Sequence, residues 1–466
     1  MLQVNKPIDI IIKAAGKQKI KTNNLRPLTY LQVCEVEDGF LLYNLMTREM
    51  LLLDDVEFKA YDSCDLTNET VSYLVENWFI VPEEFNDYLL FKQTDALYRM
   101  IADSNKKPNM HTFVIYPTTD CNARCFYCFE LSYKRINMTE QTAHDVAKYI
   151  INKCGGDKVQ ILWFGGEPLY NSKVIDIIST DLKNNQIKFR SKMTSNAYLF
   201  DEVLIDKAYD LWNLRHIQIT LDGTEEVYNK TKNYIYKDET SPFIRVLNNI
   251  EKLLKIGVSI DIRLNMDTYN CEDLKKLTYQ LCERYGKYEN CKVYITILFE
   301  KTALKYNARS IEDKILLWNK YDEINEILDK YGLKYKFIIE SYRKAKHCLA
   351  DHNDSTTILP NGNLGKCEHY TDDHFYGSIY SDEVDERILN EFKEITDYGE
   401  KCHTCPLQPK CIPLKACPIS EPNCDEVDKK LKLKYIKEQM KNSYQYFLMN
   451  QQISDETIND EVTYLS

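Results

Sequence analysis

The sequence predicts an α/β fold: a parallel sheet of six strands curled into a (β/α)6 partial barrel, with a small α+β domain before it and a cysteine-rich region after it. Three observations predict this fold. Residues 112 to about 300 repeat a short apolar run, a turn and a helical stretch, and such units in series are typical of a parallel sheet covered by helices. Two of the apolar runs alternate with polar residues, and seven cysteines follow in one later stretch.

Residues 1–95 are predicted to form a separate small domain. The strand-like runs are Thr29–Glu35, Phe40–Tyr43 and Glu49–Leu53, and the helical stretches are Val56–Tyr61 and Glu69–Glu76, before the apolar run Trp78–Val81. Strands first and helices afterwards indicate a small α+β or winged-helix-like unit.

Residues 108–310 are predicted to form the barrel. The strands are Thr112–Tyr116, Val159–Trp163, Phe189–Met193, His216–Leu221, Ser259–Met266 and Lys292–Leu298. The helix before the fifth strand is the clearest, because Ser241 can cap it, Pro242 suits its first turn and Gly257 can end it.

Alternation in the fourth and fifth strands indicates a polar interior. In the fourth strand, Ile217 and Ile219 alternate with Gln218 and Thr220, and the fifth strand follows the same pattern. Strands of a parallel sheet that is covered on both faces are usually apolar throughout. If helices cover the apolar face, the polar face lines an interior. A curled sheet that encloses a water-filled lumen has such a polar interior. A sheet end that faces solvent is the alternative.

The rest of the chain is predicted to contain a bridging helix region at 311–345, the cysteine-rich domain at 346–428, and a charged amphipathic helix with an acidic tail at 429–466. No apolar run approaches the roughly 18 residues of a membrane-spanning helix, and the run Ile8–Ile12 is too short for a signal peptide. The net charge is −11, which disfavours nucleic-acid binding. We therefore expect a cytoplasmic protein that acts without a membrane or a nucleic acid.

Sixteen cysteines in a chain expected in a reducing compartment indicate metal binding or catalysis. Cys121, Cys125 and Cys128 have the spacing C-x3-C-x2-C, with no fourth cysteine nearby. Such a loop can hold three irons of an iron–sulfur cube and leave one iron open to a small molecule. Zinc bound with a distant histidine, or simply buried thiols, are the alternatives.

With the aromatic Tyr127 before its last cysteine, this loop resembles the cluster loop of the radical S-adenosylmethionine (SAM) enzymes. The resemblance implies a partial TIM-type barrel, a [4Fe–4S] cluster and SAM bound at its open iron. Two further motifs match SAM-binding positions of the family: Gly165, Gly166, Glu167 and Pro168 after the second strand, and Ser195 and Asn196 after the third. The first implies contact with the amino group of SAM, and the second with its sugar or carboxylate.

The end of the fourth strand, residues 218–223, resembles a stretch of family members that act on peptides, and it contains Asp222, a candidate catalytic carboxylate. Such members usually continue to an arginine that meets the SAM carboxylate. This chain has Lys232, which keeps the charge but loses the bidentate fork. Arg263 and Asn265 on the fifth strand are candidates for the polar lumen and the cofactor, with a solvent-exposed pair as the alternative.

The seven later cysteines resemble the SPASM domain, which binds two auxiliary [4Fe–4S] clusters. By position, the resemblance implies one cluster held by Cys402, Cys405, Cys411 and Cys424, and another held by Cys348, Cys367 and Cys417. Some members supply a further cysteine where this chain has Tyr342, so we hypothesise that the second of these clusters keeps an open iron for a substrate thiolate. A zinc module is the alternative, since His347, His369 and His403 are near.

The resemblance implies that the reduced loop cluster cleaves SAM to methionine and a 5′-deoxyadenosyl radical, which takes a hydrogen atom from an unactivated carbon. We therefore expect a maturase that installs a thioether or carbon–carbon crosslink in a ribosomally made precursor peptide. A flavodoxin or ferredoxin would supply electrons. Glu368, which follows Cys367, matches an aspartate base of sulfatase-maturing relatives and is a candidate proton acceptor, with an ion-pairing surface carboxylate as the alternative.

Residues 1–95 resemble the peptide-recognition domain of peptide-modifying enzymes, which would take up a leader peptide as an added strand. A plain structural cap is the alternative. Two other functions compete with a crosslinking maturase: a sulfatase-maturing enzyme that makes formylglycine, and a non-catalytic zinc or iron–sulfur binding protein.

Overall fold

The computed structural model describes residues 1–5, 17–19, 24–104, 109–131, 133–236, 240–299, 309–339, 348–370, 372–397, 399–411, 414–418 and 424–463. The side chains of Ala102 and of residues 451–463 are not described. Three features marked by the sequence lie outside the described residues: the run Ile8–Ile12, Tyr342 and His347.

The amino-terminal region contains six strands and three helices among the described residues. They are β1 (Leu2–Gln3), β2 (Leu25–Pro27), β3 (Leu31–Val36), β4 (Gly39–Asn44), β5 (Met50–Leu53), α1 (Asp55–Asp62), α2 (Glu69–Glu76), β6 (Ile80–Pro82) and α3 (Asp87–Ser104). Four strands form an antiparallel sheet in the order β1-β5-β4-β3, and β2 pairs with β6. The predicted strands and helices between Thr29 and Glu76 are confirmed within two residues. Helix α3 was not predicted, and it crosses the proposed boundary at residue 95.

The central region contains six strands with helices between them. They are β7 (Thr112–Ile115), α4 (Glu140–Cys154), β8 (Val159–Trp163), α5 (Ser172–Asn184), β9 (Phe189–Ser195), α6 (Glu202–Asp210), β10 (Leu214–Leu221), α7 (Glu225–Lys232), α8 (Pro242–Lys255), β11 (Ser259–Met266), α9 (Cys271–Tyr285) and β12 (Cys291–Ile297). Neighbouring strands are parallel and follow chain order. The predicted parallel sheet of six strands is therefore confirmed.

The carboxyl-terminal region contains α10 (Ile311–Lys330), β13 (Ser355–Ile358), β14 (Asn363–Gly365), β15 (Gly377–Ser378), α11 (Glu386–Glu391), α12 (Glu400–His403) and α13 (Glu426–Thr463). Strand β13 pairs in parallel with β7, and β14 and β15 follow it antiparallel. The sequence did not predict this extension, because a four-residue strand has no local periodicity to mark it. It places the first part of the cysteine-rich region on the same sheet as the barrel strands.

The alternation within β10 and β11 separates two faces of the sheet. Ile217, Ile219 and Leu221 are fully buried under the helices. On the other face, the Tyr294 hydroxyl donates to Gln218 Oε1 at 2.6 Å. His216 Nε2 lies 2.8 Å from Asp261 Oδ2 on that face. The second face is thus polar and partly buried, as predicted for an interior.

Helix α8 begins as predicted at Pro242, but the expected side-chain cap is wrong. The Ser241 hydroxyl accepts a hydrogen bond from Asn229 Nδ2 at 3.0 Å and caps nothing. Asn229 Oδ1 instead accepts from the Phe243 N–H at 3.1 Å. The free amide of the first turn is therefore satisfied by a residue of another helix, which local sequence cannot show. Gly257 follows the helix with a φ of +89°, as expected for a residue that ends it.

A second core joins the amino-terminal sheet to the cysteine-rich segment and α13. Its buried members include Tyr30, Leu407, Ile436 and Met440. The Tyr88 ring stacks on His403 at 3.7 Å between centroids. The amino-terminal region therefore packs directly on the segment that carries the later cysteines.

Across the part of the chain that is described, no helix has the length and apolar character needed to cross a membrane.

Candidate active site

The first three cysteines lie on the loop after β7, at the carboxyl edge of the parallel sheet. Burial raises the pKa of Cys121, and the neighbouring Cys125 and Cys128 add to the rise. Burial also raises the pKa of Cys128 to about 12. The three thiols therefore lie within electrostatic reach of one another. A bound metal centre would reverse the rise, because the charge of the metal deprotonates a coordinating thiol.

The spacing of the three thiols is compatible with the separate corners of an iron–sulfur cube. Among the described residues, no three Cys, His, Asp or Glu side chains converge closely enough to bind one metal ion. The irons of a cube lie at separate corners, so its thiolates need not meet at one point.

Gly165 and Gly166 pack against the backbone of the cysteine loop. A Cβ atom on Gly165 would lie 2.3 Å from the Thr118 carbonyl oxygen, and one on Gly166 would lie 2.2 Å from that of Asp120. Gly165 also has a φ of +114°. The Glu167 N–H donates to the Asp120 carbonyl at 2.9 Å. The glycines therefore hold the loop against the turn after β8, a reason for their presence that the sequence alone did not show.

The Glu167 carboxylate is fully buried and connects the ends of β8 and β9. Oε1 accepts from Ser195 Oγ at 2.7 Å and from the Leu169 N–H at 3.2 Å, and Oε2 accepts from the Asn196 N–H at 2.8 Å. Burial raises its pKa to about 7, although these hydrogen bonds oppose the rise. A carboxylate has about four acceptor positions, so one remains for a ligand.

Asn196 connects β9 to the cysteine loop. Its Nδ2 donates to Asn122 Oδ1 at 2.7 Å and lies 3.9 Å from Cys121 Sγ. The Asn122 amide nitrogen is buried without a hydrogen-bond partner among the described residues. Sequence reasoning missed Asn122, and its position between two of the cysteines was the signal available.

Four other predicted residues form one buried network beneath the loop. The Tyr127 hydroxyl donates to Asp222 Oδ1 at 2.8 Å and accepts from Asn265 Nδ2 at 3.0 Å. Lys232 Nζ lies 3.0 Å from Asp222 Oδ2 and 3.3 Å from the Tyr127 oxygen. Burial opposes the charge of Lys232, but Asp222 and its other neighbours raise its pKa well above the ordinary value. The network connects the ends of β10 and β11 to the cysteine loop.

Arg263 lies apart from this network, two residues before Asn265 on the polar face of β11. Its Nε is buried without a hydrogen-bond partner among the described residues. An unpaired guanidinium nitrogen in a polar interior is suited to an anionic group of a ligand.

The later cysteines form two groups. Burial raises the pKa of Cys367 to about 12, and Glu368, Cys348 and Cys417 add to the rise. Burial likewise raises the pKa of Cys411, and the charge of Lys432 opposes this rise. The neighbouring Cys424, Cys405 and Cys402 raise the pKa of Cys411 further. Electrostatic interaction thus links Cys367 with Cys348 and Cys417, and it links Cys411 with Cys402, Cys405 and Cys424.

The Cys367 group lies beside the first loop. The Tyr116 hydroxyl donates to the Glu368 carbonyl at 2.6 Å, and the Tyr133 hydroxyl donates to that of His369 at 2.6 Å. The buried Glu130 was also missed by sequence reasoning, and burial raises its pKa to about 8.

Residues 115–278 match the radical SAM superfamily. The match covers the cysteine loop, the Gly165–Pro168 turn and the buried network. Residues 115–278 therefore form a radical SAM domain, and the enzymes of that superfamily use SAM and a [4Fe–4S] cluster as cofactors.

The chain is similar in sequence to proteins of at least two species. An uncharacterised protein of Methanocaldococcus jannaschii is 22% identical over 269 residues, which cover 55% of this chain and 85% of that protein. The probable GTP 3′,8-cyclase of Methanococcus maripaludis is 27% identical over 164 residues, which cover 35% of this chain and 51% of the relative.

Two solved structures share the fold. Native anSMEcpe with bound AdoMet has a TM-score of 0.53 at 17% identity, with 72% of this chain and 98% of that chain covered. Streptococcus suis SuiB bound to S-adenosylmethionine has a TM-score of 0.51 at 15% identity, with 86% and 99% covered. At these identities the similarity shows the fold alone.

Proposed function

We propose that this enzyme modifies a ribosomally synthesised precursor peptide and installs a thioether or carbon–carbon crosslink. The observation that supports the proposal is the junction of two cysteine groups on one sheet. Strand β7, which leads to the first loop, pairs with β13, and the Phe129 ring of that loop lies 4.3 Å from the ring of His369. A peptide bound at this junction would be close to both groups.

In the proposed site, Cys121, Cys125 and Cys128 bind the first cluster. When bound, the cluster and SAM supply one-electron chemistry that removes a hydrogen atom from carbon. Glu167 offers its remaining acceptor position to the amino group of SAM, and Ser195 and Asn196 fix the orientation of that carboxylate. Gly165, Gly166 and Pro168 keep this turn against the loop.

The buried network positions the loop. Lys232 holds Asp222 and Tyr127 together, and its carbonyl accepts from the Arg124 N–H at 2.8 Å, within the cysteine loop. We assign Lys232, Asp222 and Asn265 to positioning Tyr127 under the cofactor. Arg263 contacts the carboxylate of SAM or of the substrate.

Two auxiliary [4Fe–4S] clusters complete the proposal, one on Cys402, Cys405, Cys411 and Cys424 and the other on Cys348, Cys367 and Cys417. Glu368 interacts electrostatically with Cys348 and Cys367, where it can accept a proton from the substrate. With three cysteine ligands, the second cluster keeps one iron for a substrate thiolate.

The proposed partners are a precursor peptide with a leader and an electron donor such as flavodoxin or ferredoxin. S. suis SuiB has been solved bound to its precursor peptide SuiA, with a TM-score of 0.50 and 15% identity to this chain. Strand β3 is the last strand of the amino-terminal sheet, so its outer edge is where an added strand of the leader would pair.

Anaerobic reconstitution with iron and sulfide, followed by SAM and dithionite, tests the enzyme class. We expect 5′-deoxyadenosine from the parent and none from the variant with Cys121, Cys125 and Cys128 replaced by alanine. Deoxyadenosine at the parent rate from that variant would overturn the assignment.

Mass spectrometry of a precursor peptide encoded beside the gene, coexpressed with the enzyme, tests the reaction. Loss of two hydrogen atoms, with fragment ions that show a bond between two residues, supports a crosslink, because oxidation of a serine to formylglycine removes two hydrogen atoms from a single residue. Conversion of a cysteine or serine to formylglycine identifies the competing sulfatase-maturing function instead.

A further inference from the structure

Helix α13 presents lysines to the four-cysteine group. Lys432 Nζ donates to Cys424 Sγ at 3.0 Å. The charge of Lys432 also acts on Cys411. Lys429, one turn earlier, lies within electrostatic reach of Cys405 and Cys402. Two cations of one helix therefore face the group, and one of them contacts a sulfur directly.

Three carboxylates around the start of helix α13 pair with lysines other than Lys432, although Asp428 also acts electrostatically on Lys432. Lys314 lies 2.9 Å from Asp425 and 2.8 Å from Asp428. Glu426 pairs with Lys429 at 2.9 Å, which weakens the effect of that lysine on the thiols. Lys432 is thus the positive charge with the most direct action on the sulfurs.

We propose that Lys432 raises the reduction potential of the cluster held by Cys402, Cys405, Cys411 and Cys424. The inference rests on the proposed function, in which these cysteines bind a cluster. One-electron reduction adds a negative charge that the sulfurs share, and a cation that donates a hydrogen bond to a sulfur stabilises that charge. Lys432 therefore favours the reduced state of this cluster.

The test is a redox titration of the full-length reconstituted enzyme, followed by electron paramagnetic resonance. Lys432→Met should lower the equilibrium constant for reduction of one cluster about tenfold, a shift of about 59 mV for one electron. Lys432→Arg keeps the charge and should leave every midpoint in place. Lys430→Met is the matched control, because Lys430 is an exposed lysine of the same helix.

A second measurement separates a failure of the cluster-ligand assignment from a failure of the proposed role of Lys432. The double variant Cys402→Ala, Cys405→Ala should bind less iron than the parent. If its iron content is unchanged, the proposed cluster ligands are wrong and the inference falls with them. If iron is lost but Lys432→Met moves no midpoint, or Lys430→Met moves one equally, the role of Lys432 alone is overturned.

Discussion

Lys232→Met should destabilise the barrel and loosen the cysteine loop. The ion pair with Asp222 is buried, with side-chain exposures of 3% and 0%. Removal of one partner from a buried pair costs about 3–5 kcal/mol, because the other charge stays buried without compensation. The hydrogen bond from Tyr127 to Asp222 remains, so we expect the lower end, about 3 kcal/mol.

Urea unfolding followed by tryptophan fluorescence measures this loss, because Trp163 and Trp212 are fully buried in the barrel core. Lys230→Met, on the exposed side of the same helix, is the control and should unfold as the parent does. The double variant Lys232→Met, Asp222→Asn removes both charges and should recover most of the loss. An unchanged midpoint for Lys232→Met, or a double variant no more stable than the single one, would refute the reasoning. Because the pKa of Lys232 is raised well above its ordinary value, the ion pair of the parent should persist throughout the neutral pH range.

Three further predictions concern single residues of the site. Burial raises the pKa of Glu167 from 4.5 to about 7, so the folded protein binds this proton more tightly and should lose about 3 kcal/mol of stability as the pH rises between those values. Glu167→Gln should reduce that slope in urea midpoints of the cluster-free protein, while the slope from Glu130, whose pKa is about 8, remains. A slope as steep as that of the parent contradicts the assignment. Gly166→Ala places a Cβ 2.2 Å from the Asp120 carbonyl, which should cost about 1–3 kcal/mol and lower the iron bound per chain. Gly365→Ala, with its nearest atoms at 4.0 Å, should leave iron content unchanged, and equal losses from both variants would count against the steric cause. Glu368→Gln should slow peptide modification about 100-fold or more while deoxyadenosine still forms. Product at the parent rate would dismiss Glu368 as the proton acceptor.

The local signals in the chain were enough for the barrel strands and for most elements of the amino-terminal region, and they marked the residues that are predicted to carry the chemistry. Alternation in β10 and β11 marked two unlike faces because side chains of a strand point to opposite sides. The spacing of Cys121, Cys125 and Cys128 and the Gly165–Pro168 turn marked one loop and one strand end, and parallel strands bring such ends to the same edge of a sheet. The superfamily match over residues 115–278 supports this interpretation.

Long-range contacts decided what these residues do there. Gly165 and Gly166 are needed because the backbone of the cysteine loop occupies the space of their side chains. Lys232 lies at the position where the family was expected to use an arginine. Only the structure places this lysine in a buried network with Asp222 and Tyr127. The sequence by itself determined which groups are present and where on each strand they lie. Only the tertiary structure decided which of these groups meet. Their contacts join residues that are far apart in the chain, as with Tyr127 and Asp222, which are 95 positions apart. No local pattern in the sequence records such pairs.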